Sequence, residues 1–240
     1  MPSDLTAVKA LVFDVFGTVV DWRTSLITDF MWWGKQRGVS ADWTALVDAW
    51  RGMYMASMDE VRKHPERGYV ILDVLHRRSL ETLVAQLGIH GLTEADLDHL
   101  TRGWHRLHPW ADSVAGLTRL KSKYIISPLS NGNVALLTNM AKFAGLPWDL
   151  VLSAELFAHY KPDPETYLGA ARLLGLAPGE VMMVAAHNND LEAAQRYGLK
   201  TAFVARATEY GPLQSRDFEA TGAWDIVASD FGGIADRLGC

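Results

Sequence analysis

A short stretch decides the fold: LVFDVFGT at residues 11–18, in which an apolar run stops abruptly at a carboxylate. Ala10 to Phe13 form a continuous apolar run, which is typical of a strand buried on both faces of a parallel sheet. Such sheets place their binding and catalytic groups just outside the carboxyl ends of the strands, and Asp14 occupies such an end. Because an isolated buried carboxylate is costly, Asp14 should have cationic or hydrogen-bonding partners. An aspartate that only turns the chain is the alternative.

The composition bounds the class of protein. With 240 residues, 49% of them apolar and 21% charged, the chain can bury a substantial core and is not disordered. A net charge of −5 argues against nucleic acid or an anionic membrane as the main partner. The single cysteine, Cys240, excludes a disulfide framework and a thiolate metal site. We see no apolar run of transmembrane length and no signal-peptide pattern, so we expect a cytoplasmic protein.

Strand-like runs alternate with helix-like patterns over most of the chain. The predicted strands are Lys9–Phe13, Tyr124–Leu129, Leu150–Ser153, Val181–Ala185, Thr201–Ala205 and Ile226–Ala228. The predicted helices are Val134–Ala144, Pro164–Leu174, Leu191–Tyr197 and Phe231–Leu238. This alternation predicts an α/β fold with a Rossmann-like, mostly parallel sheet that helices cover on both faces.

Residues 21–106 interrupt the alternation. They carry amphipathic helical patterns and no convincing strand, and apolar residues such as Trp32, Trp33, Trp50 and Leu87 are typical of a helical-bundle core. The segment is too long for a loop. We therefore predict a core domain of residues 1–20 and 107–240, with residues 21–106 forming a helical cap domain that excludes water from Asp14.

Two further stretches carry polar residues near strand ends. Ser130 and Asn131 offer a hydroxyl, an amide and backbone N–H groups near a helix start, which suits an anion but equally suits an ordinary N-cap. Lys161 lies in a proline-flanked turn that could aim it inward, although most turn lysines are solvated. Tyr167 follows six residues later, near the start of a predicted helix.

The last polar stretch, Val184–Asp190, lies at the end of the fourth predicted strand and just beyond it. Asp190 stands at a helix start, where the helix dipole stabilises a carboxylate whatever its function. His187 is either a titrating base or a turn residue, with the turn residue slightly favoured. Each signal is weak alone, but four signals in this order, each after a strand of one sheet, form a much stronger pattern.

This pattern resembles the haloacid dehalogenase superfamily over essentially the whole chain. That superfamily has an aspartate nucleophile after strand one, a Ser or Thr after strand two, a Lys and then acidic residues. Most members are Mg²⁺-dependent phosphatases with a general-acid Asp two residues after the nucleophile and an acidic ligand four residues before the last Asp. Phe16 and Ala186 stand at those positions here. Phosphoryl transfer needs both groups, whereas a halide leaves without a proton, so we expect no metal and no organic cofactor.

The match narrows to the L-2-haloacid dehalogenase branch. The residues that match its motifs are Asp14, Thr18, Trp50, Arg51, Ser130, Asn131, Lys161, Tyr167 and Asp190. For Arg51, a solvated charge on a helix face is the alternative. The chain departs from the branch at Ala185 and His187, where Ser and Asn are usual, and at Asn189, where Trp is usual. The pocket walls and the handling of water are therefore expected to differ.

The resemblance implies a hydrolase that converts short 2-haloalkanoic acids to 2-hydroxy acids with inversion at carbon 2. The catalytic set would be Asp14 as the nucleophile that forms an ester, Lys161, Thr18, and Asp190, alone or with His187, to activate water. The substrate- or halide-binding set would be Arg51, Ser130, Asn131, Tyr167, His187 and Phe16.

Other functions stay open on the sequence alone. Phe16 and Ala186 weigh against a phosphatase of the same superfamily, and the intact Asp14, Lys161 and Asp190 weigh against a non-catalytic binding protein. An enzyme specific for haloacetates is a narrower version of the same activity. The expected partner is a small haloacid, and a homodimer stays open.

Overall fold

A parallel sheet lies at the centre of the structure, a computed structural model that describes residues 5–240. Within that range the strands are β1 (Ala10–Phe13), β2 (Val20–Asp21), β3 (His108–Pro109), β4 (Ile125–Ser130), β5 (Leu152–Ser153), β6 (Val181–Ala185), β7 (Lys200–Val204) and β8 (Ile226–Ala228). The α-helices are α1 (Trp22–Arg37), α2 (Trp43–Lys63), α3 (Leu72–Gln86), α4 (Glu94–Thr101), α5 (Ser113–Lys121), α6 (Val134–Ala144), α7 (Pro164–Leu173), α8 (Asn188–Arg196) and α9 (Phe231–Leu238). Short 3-10 helices cover Pro65–Arg67, Arg102–His105, Ala154–Phe157, Pro178–Glu180 and Gly211–Leu213.

The sheet has the strand order β5-β4-β1-β6-β7-β8, and each neighbouring pair is parallel. All four residues of β1 are fully buried, as a central strand requires. Because side chains alternate across a strand, Leu11 and Phe13 pack into one core with Phe231 of α9, whereas Val12 packs into another with Leu191 of α8. The predicted α/β fold, with a mostly parallel sheet covered on both faces, is confirmed.

The segment between β2 and β3 is helical and contains α1 to α4. Strands β2 and β3 pair antiparallel, Val20 with Pro109 and Asp21 with His108, so both connections of this helical segment pass through one two-stranded ribbon. The buried aromatic core of the segment includes Trp22, Phe30, Trp33, Trp43, Trp50 and Trp104. Its status as a separate domain stays a prediction.

Two residues expected in the core of the helical segment are exposed. Trp32 is 64% exposed, because residue 32 faces away from the buried stripe of α1. The large apolar side chains of that stripe are Trp22, Leu26, Phe30 and Trp33. Leu87, directly after α3, is 44% exposed. The amphipathic pattern therefore identified the helices but misassigned these two side chains.

Polar contacts hold the helical segment over the carboxyl ends of the strands. Arg62 of α2 contacts Asp163, just before α7, with its Nη2 atom 2.5 Å from Oδ1. Asp73 of α3 accepts a hydrogen bond from Asn133, the residue before α6, at 3.0 Å. Among the described helices none is both long and apolar enough to cross a membrane.

Candidate active site

Side chains that follow β1, β4 and β6 meet in a cavity of about 410 Å³ beneath α2. Of the ten residues predicted for the site, eight line this cavity, namely Asp14, Phe16, Arg51, Asn131, Lys161, Tyr167, His187 and Asp190. Thr18 and Ser130 are fully buried behind its wall. The sheet topology explains why these side chains lie close together, because parallel strands end at the same edge of the sheet.

Asp14 is held at the end of β1 by partners from three parts of the chain. Its Oδ1 atom accepts a hydrogen bond from Lys161 Nζ at 2.9 Å, and its Oδ2 atom accepts one from Thr18 Oγ1 at 2.7 Å. The Nδ1 atom of His187 lies 3.1 Å from Oδ2. Burial raises the pKa of Asp14, but Lys161, His187 and Thr18 outweigh burial and hold that pKa well below its ordinary range. The carboxylate is therefore ionised and fixed in orientation.

Lys161 bridges two carboxylates. Its Nζ atom lies 2.9 Å from Asp14 Oδ1 and 2.5 Å from Asp190 Oδ2. Burial alone would lower the pKa of Lys161. The two carboxylates outweigh burial and raise that pKa above its ordinary value, so the ammonium stays charged. Asn131 fixes the lysine, since its Oδ1 atom accepts a hydrogen bond from the Lys161 backbone N–H at 2.7 Å. Asn131 thus has a structural contact besides the substrate contact predicted for it.

Asp190 stands in the first turn of α8 and is shared between Lys161 and Tyr167. The Tyr167 hydroxyl donates to Asp190 Oδ1 at 2.5 Å. Burial and the nearby charge of Asp14 raise the pKa of Asp190, and the contacts with Lys161 and Tyr167 only partly offset this. A raised pKa makes Asp190 a better proton acceptor than an ordinary surface carboxylate. Burial also raises the pKa of Tyr167, which therefore stays a donor.

Ser130 and Thr18 lie behind the cavity wall, where Ser130 contacts neighbouring backbone and Thr18 contacts both backbone and Asp14. The Ser130 hydroxyl accepts a hydrogen bond from the Gly132 N–H at 3.2 Å, as in the turn that the sequence left open. Thr18 Oγ1 accepts from the Ala186 N–H at 3.0 Å while donating to Asp14. Neither side chain is among the residues that line the cavity. The predicted substrate contact of Ser130 has no support in this geometry.

Arg51 enters the cavity from α2. Its guanidinium lies over the ring of Tyr54 at 4.3 Å and 5.3 Å from the ring of Trp22. Its Nη1 atom is buried and makes no hydrogen bond with any residue in the range 5–240. The preceding Trp50 anchors the helix, because it is buried and donates from Nε1 to the His76 carbonyl at 3.1 Å. A buried cation with an unused donor is suited to an anionic ligand.

Glu209 is a site residue that the sequence did not reveal. It lies in the loop after β7, is 1% exposed, and its Oε2 atom is 2.8 Å from His187 Nε2. Its Oε1 atom accepts a hydrogen bond from Trp22 Nε1 at 3.0 Å. The same loop supplies Tyr210 and Arg216 to the cavity wall. No motif marks these residues.

His187 is more than a turn residue, contrary to the alternative that the sequence favoured. It precedes α8 and its ring lies between the carboxylates of Asp14 and Glu209. Burial lowers the pKa of His187, but the charge of Glu209 and the hydrogen bonds to Asp14 and Glu209 raise it well above 6.5. The imidazole is therefore protonated near neutral pH and donates from both nitrogens.

Comparison with known families gives one match that covers most of the chain. The model of the haloacid dehalogenase-like hydrolases matches residues 8–198. The chain belongs to the haloacid dehalogenase-like hydrolases. The superfamily predicted from Asp14, Lys161 and Asp190 is thereby confirmed.

Relatives of this hydrolase include several that are named as dehalogenases. It is 27% identical to (S)-2-haloacid dehalogenase 4A of Burkholderia cepacia, over 93% of this chain and 96% of the relative. The structure of L-2-haloacid dehalogenase PA0810 superposes with a TM-score of 0.94 at 51% identity, covering 97% of this chain and 99% of the other. The defluorinating L-2-haloacid dehalogenase Rha0230 gives a TM-score of 0.95 at 46% identity, covering both chains completely. The predicted branch is therefore confirmed as well.

Proposed function

We propose that this hydrolase dehalogenates short 2-haloalkanoic acids and releases 2-hydroxy acids, with Asp14 as the covalent nucleophile. The observation that carries the proposal is the buried, ionised Asp14. It faces a small cavity whose roof holds the buried Nη1 atom of Arg51, which makes no hydrogen bond within residues 5–240. The relatives named above act on 2-haloacids, which supports the same class of substrate here. For a small haloacid anion, the site offers Asp14 as the nucleophile and Arg51 as a second cation besides Lys161.

In the first step, the Asp14 carboxylate attacks the carbon that bears the halogen. A bond forms between an Asp14 oxygen and carbon 2, the carbon–halogen bond breaks, and the halide departs with the electron pair. Arg51 binds the substrate carboxylate or the departing halide through charge-assisted hydrogen bonds. Because displacement at carbon is in line, the configuration at carbon 2 inverts.

In the second step, water attacks Cγ of the Asp14 ester. Asp190 accepts a proton from that water, since its raised pKa suits a base. Lys161 lies between the ester and Asp190, so it can give a proton to the departing hydroxy acid and regain one from Asp190. The products are the 2-hydroxy acid, the regenerated Asp14 carboxylate and the second proton of the water, which passes to solvent.

The proposal extends to the surroundings of the site. Residues 21–106 would form a cap domain that shields the ester from bulk water, with residues 1–20 and 107–240 as the core domain. The enzyme would be cytoplasmic. It would work without a metal or an organic cofactor, because Phe16 and Ala186 stand where phosphatases carry the general acid and the acidic metal ligand. Its preferred substrates would be haloacetates and other very short acids.

The test is release of halide from fluoroacetate, chloroacetate, 2-chloropropionate and 2-chlorobutyrate, with and without EDTA. Phosphate release from a phosphomonoester is measured in parallel. We expect halide release that survives EDTA and no phosphate release. Phosphate release that Mg²⁺ restores after chelation would instead identify a phosphatase.

The covalent route is tested with isotopic water. In a single turnover in H₂¹⁸O, the label should enter the Asp14 carboxylate and be absent from the hydroxy acid, because water attacks Cγ and not carbon 2. Asp14→Asn should abolish steady turnover. Label in the product on the first turnover would contradict an ester at Asp14.

A further inference from the structure

The ring of His187 connects Asp14 to a second buried carboxylate. Nδ1 lies 3.1 Å from Asp14 Oδ2, and Nε2 lies 2.8 Å from Glu209 Oε2. The two steps described above assign roles to Asp14, Lys161, Asp190 and Arg51. They assign none to the His187–Glu209 pair. A buried ion pair beside the nucleophile therefore needs its own explanation.

The two oxygens of Asp14 differ in their partners. Within residues 5–240, Oδ1 accepts from Lys161, whereas Oδ2 accepts from Thr18 and faces the His187 nitrogen. The Thr18 hydroxyl accepts from the Ala186 N–H, which directs its hydrogen towards Oδ2. Since donors draw electron density away from a lone pair, Oδ1 is the better nucleophile of the two.

We propose that His187 and Thr18 form an oxyanion hole for hydrolysis of the Asp14 ester, and that Glu209 is the positioning residue that orients His187. The inference rests on the proposed function. After alkylation at Oδ1, the Oδ2 atom is the ester carbonyl oxygen. When water bonds to Cγ, the π electron pair moves onto Oδ2, where the Thr18 O–H and the His187 N–H donate to it.

The intermediate then collapses with its atoms and protons balanced. The pair on Oδ2 re-forms the carbonyl, and the bond between Cγ and Oδ1 breaks. Oδ1 leaves as the hydroxyl oxygen of the product with a proton from Lys161, and Asp190 passes the proton that it took from water to Lys161. The second proton of that water leaves the new Asp14 carboxyl for solvent, which regenerates the carboxylate. The water oxygen stays in the Asp14 carboxylate. His187 donates a hydrogen bond to Oδ2 during both attack and collapse, and it transfers no proton.

Glu209 is built to hold the imidazole in place. It is buried, its Oε1 atom is fixed by Trp22, and Gly17 leaves no space between the nucleophile loop and the carboxylate. Other charged groups face the pair from each neighbouring element. Arg51 of α2 lies 3.8 Å from Glu209, and Lys161 and Asp190 lie across Asp14. Arg216 and Asp217 line the outer wall of the cavity.

The first experiment separates alkylation from ester hydrolysis with chloroacetate and intact-protein mass spectrometry. His187→Ala should still release about one equivalent of chloride in a burst, but the ester should accumulate because kcat falls roughly 10²–10³-fold, as for loss of one oxyanion-hole donor. His187→Asn places an amide N–H near the position of Nδ1 and should restore part of the hydrolysis rate. Without an accumulated ester in His187→Ala, or without rescue by asparagine, the oxyanion hole is wrong.

The second experiment tests the positioning role of Glu209 through the pH profile of ester hydrolysis. Glu209→Gln removes the charge that supports the imidazolium, so the alkaline limb of kcat should move to lower pH, and His187→Asn should lack that limb. The matched control is His90→Gln, an exposed histidine outside the cavity, which should keep the wild-type profile. An unmoved limb in Glu209→Gln would overturn the assignment.

These outcomes are distinct from failure of the proposed function. If wild-type protein releases no halide from any haloacid, the proposed function fails. If wild-type protein releases halide with turnover but the His187 and Glu209 variants behave as wild type, only the oxyanion hole fails.

Discussion

At the scale of the residue, Gly17 controls how closely Glu209 approaches the nucleophile loop. Gly17 has a φ of +86°, and a Cβ atom at this position would lie 2.1 Å from Glu209 Oε1. Both the left-handed backbone and the missing space therefore require glycine. This explains the glycine of the opening stretch beyond its suitability for a turn.

Gly17→Ala should be destabilising and should also disturb His187. We expect about 1–3 kcal/mol of backbone strain, plus the cost of displacing Glu209 from its buried contacts. Denaturant unfolding gives the stability, and the alkaline limb of kcat gives the effect on His187. The matched control is Gly52→Ala in α2, where a Cβ meets nothing within 4 Å and stability should rise by up to about 1 kcal/mol. Equal stabilities of wild type and Gly17→Ala would contradict this account.

Single residues also mark the limit of prediction from sequence. Asp14, Lys161 and Asp190 were predictable because each stands at a fixed place after a strand or at a helix start. Glu209 was not, because it lies in an irregular loop that carries no periodicity. Its partner His187 was ambiguous, since the charge state of an imidazole depends on neighbours that are distant in sequence.

At the scale of the element, α2 carries Arg51 from the helical segment into the cavity. Arg51→Lys keeps the charge but loses the planar fork that binds a carboxylate with two hydrogen bonds. We expect kcat/KM for chloroacetate to fall by about tenfold or more, which is about 1.4 kcal/mol, and Arg51→Ala to lower it further. Steady-state halide release measures both variants.

An exposed arginine provides the control for this substitution. Arg67→Lys, with a side chain that is 66% exposed, should leave kcat/KM unchanged. If Arg51→Ala stays within about twofold of wild type for chloroacetate, 2-chloropropionate and 2-chlorobutyrate, the anion is bound elsewhere.

Elements were predictable where burial imposed a continuous pattern. The predicted strands overlap β1 and β4 to β8. The clearest were β1 and β6, because strands buried on both faces read as uninterrupted apolar runs. Strands β2 and β3 have two residues each and no apolar run around them, whereas the equally short β5 lies at the end of the predicted strand Leu150–Ser153. Helix α5 was missed, and Gly116 at its centre, which packs against Phe231, weakens its helical pattern.

At the scale of the whole molecule, the buried charges of the site link stability to pH. The pKa of His187 in the folded protein is raised above 6.5, so its contribution is fully present below pH 6.5 and is lost as the pH rises through the folded value. The pKa of Lys161 is raised above 10.5, so its contribution is lost only at still higher pH. Burial raises the pKa of Cys240 above 9.0, so only the range from pH 6.5 to below 9.0 reports mainly on His187.

The free energy of unfolding should fall as the pH rises across that window. Urea denaturation at a series of pH values measures the slope, and His187→Asn should remove the part due to this residue. A slope that is the same in wild type and His187→Asn would show that the imidazole is not charged in the folded state.

The ribbon of β2 and β3 has a consequence for how this architecture diversifies. Neighbouring strands lie about 4.8 Å apart, so the chain enters and leaves the helical segment at almost one point. A segment whose two ends are adjacent can be replaced without rethreading the strands around it. The roof of the cavity, with Arg51 and its aromatic neighbours, therefore belongs to a segment that can be exchanged as one unit. Asp14, Lys161 and Asp190 lie outside that segment. Substrate range can evolve by exchange of residues 22–107 as one segment, while the residues that follow the strands of the sheet stay the same.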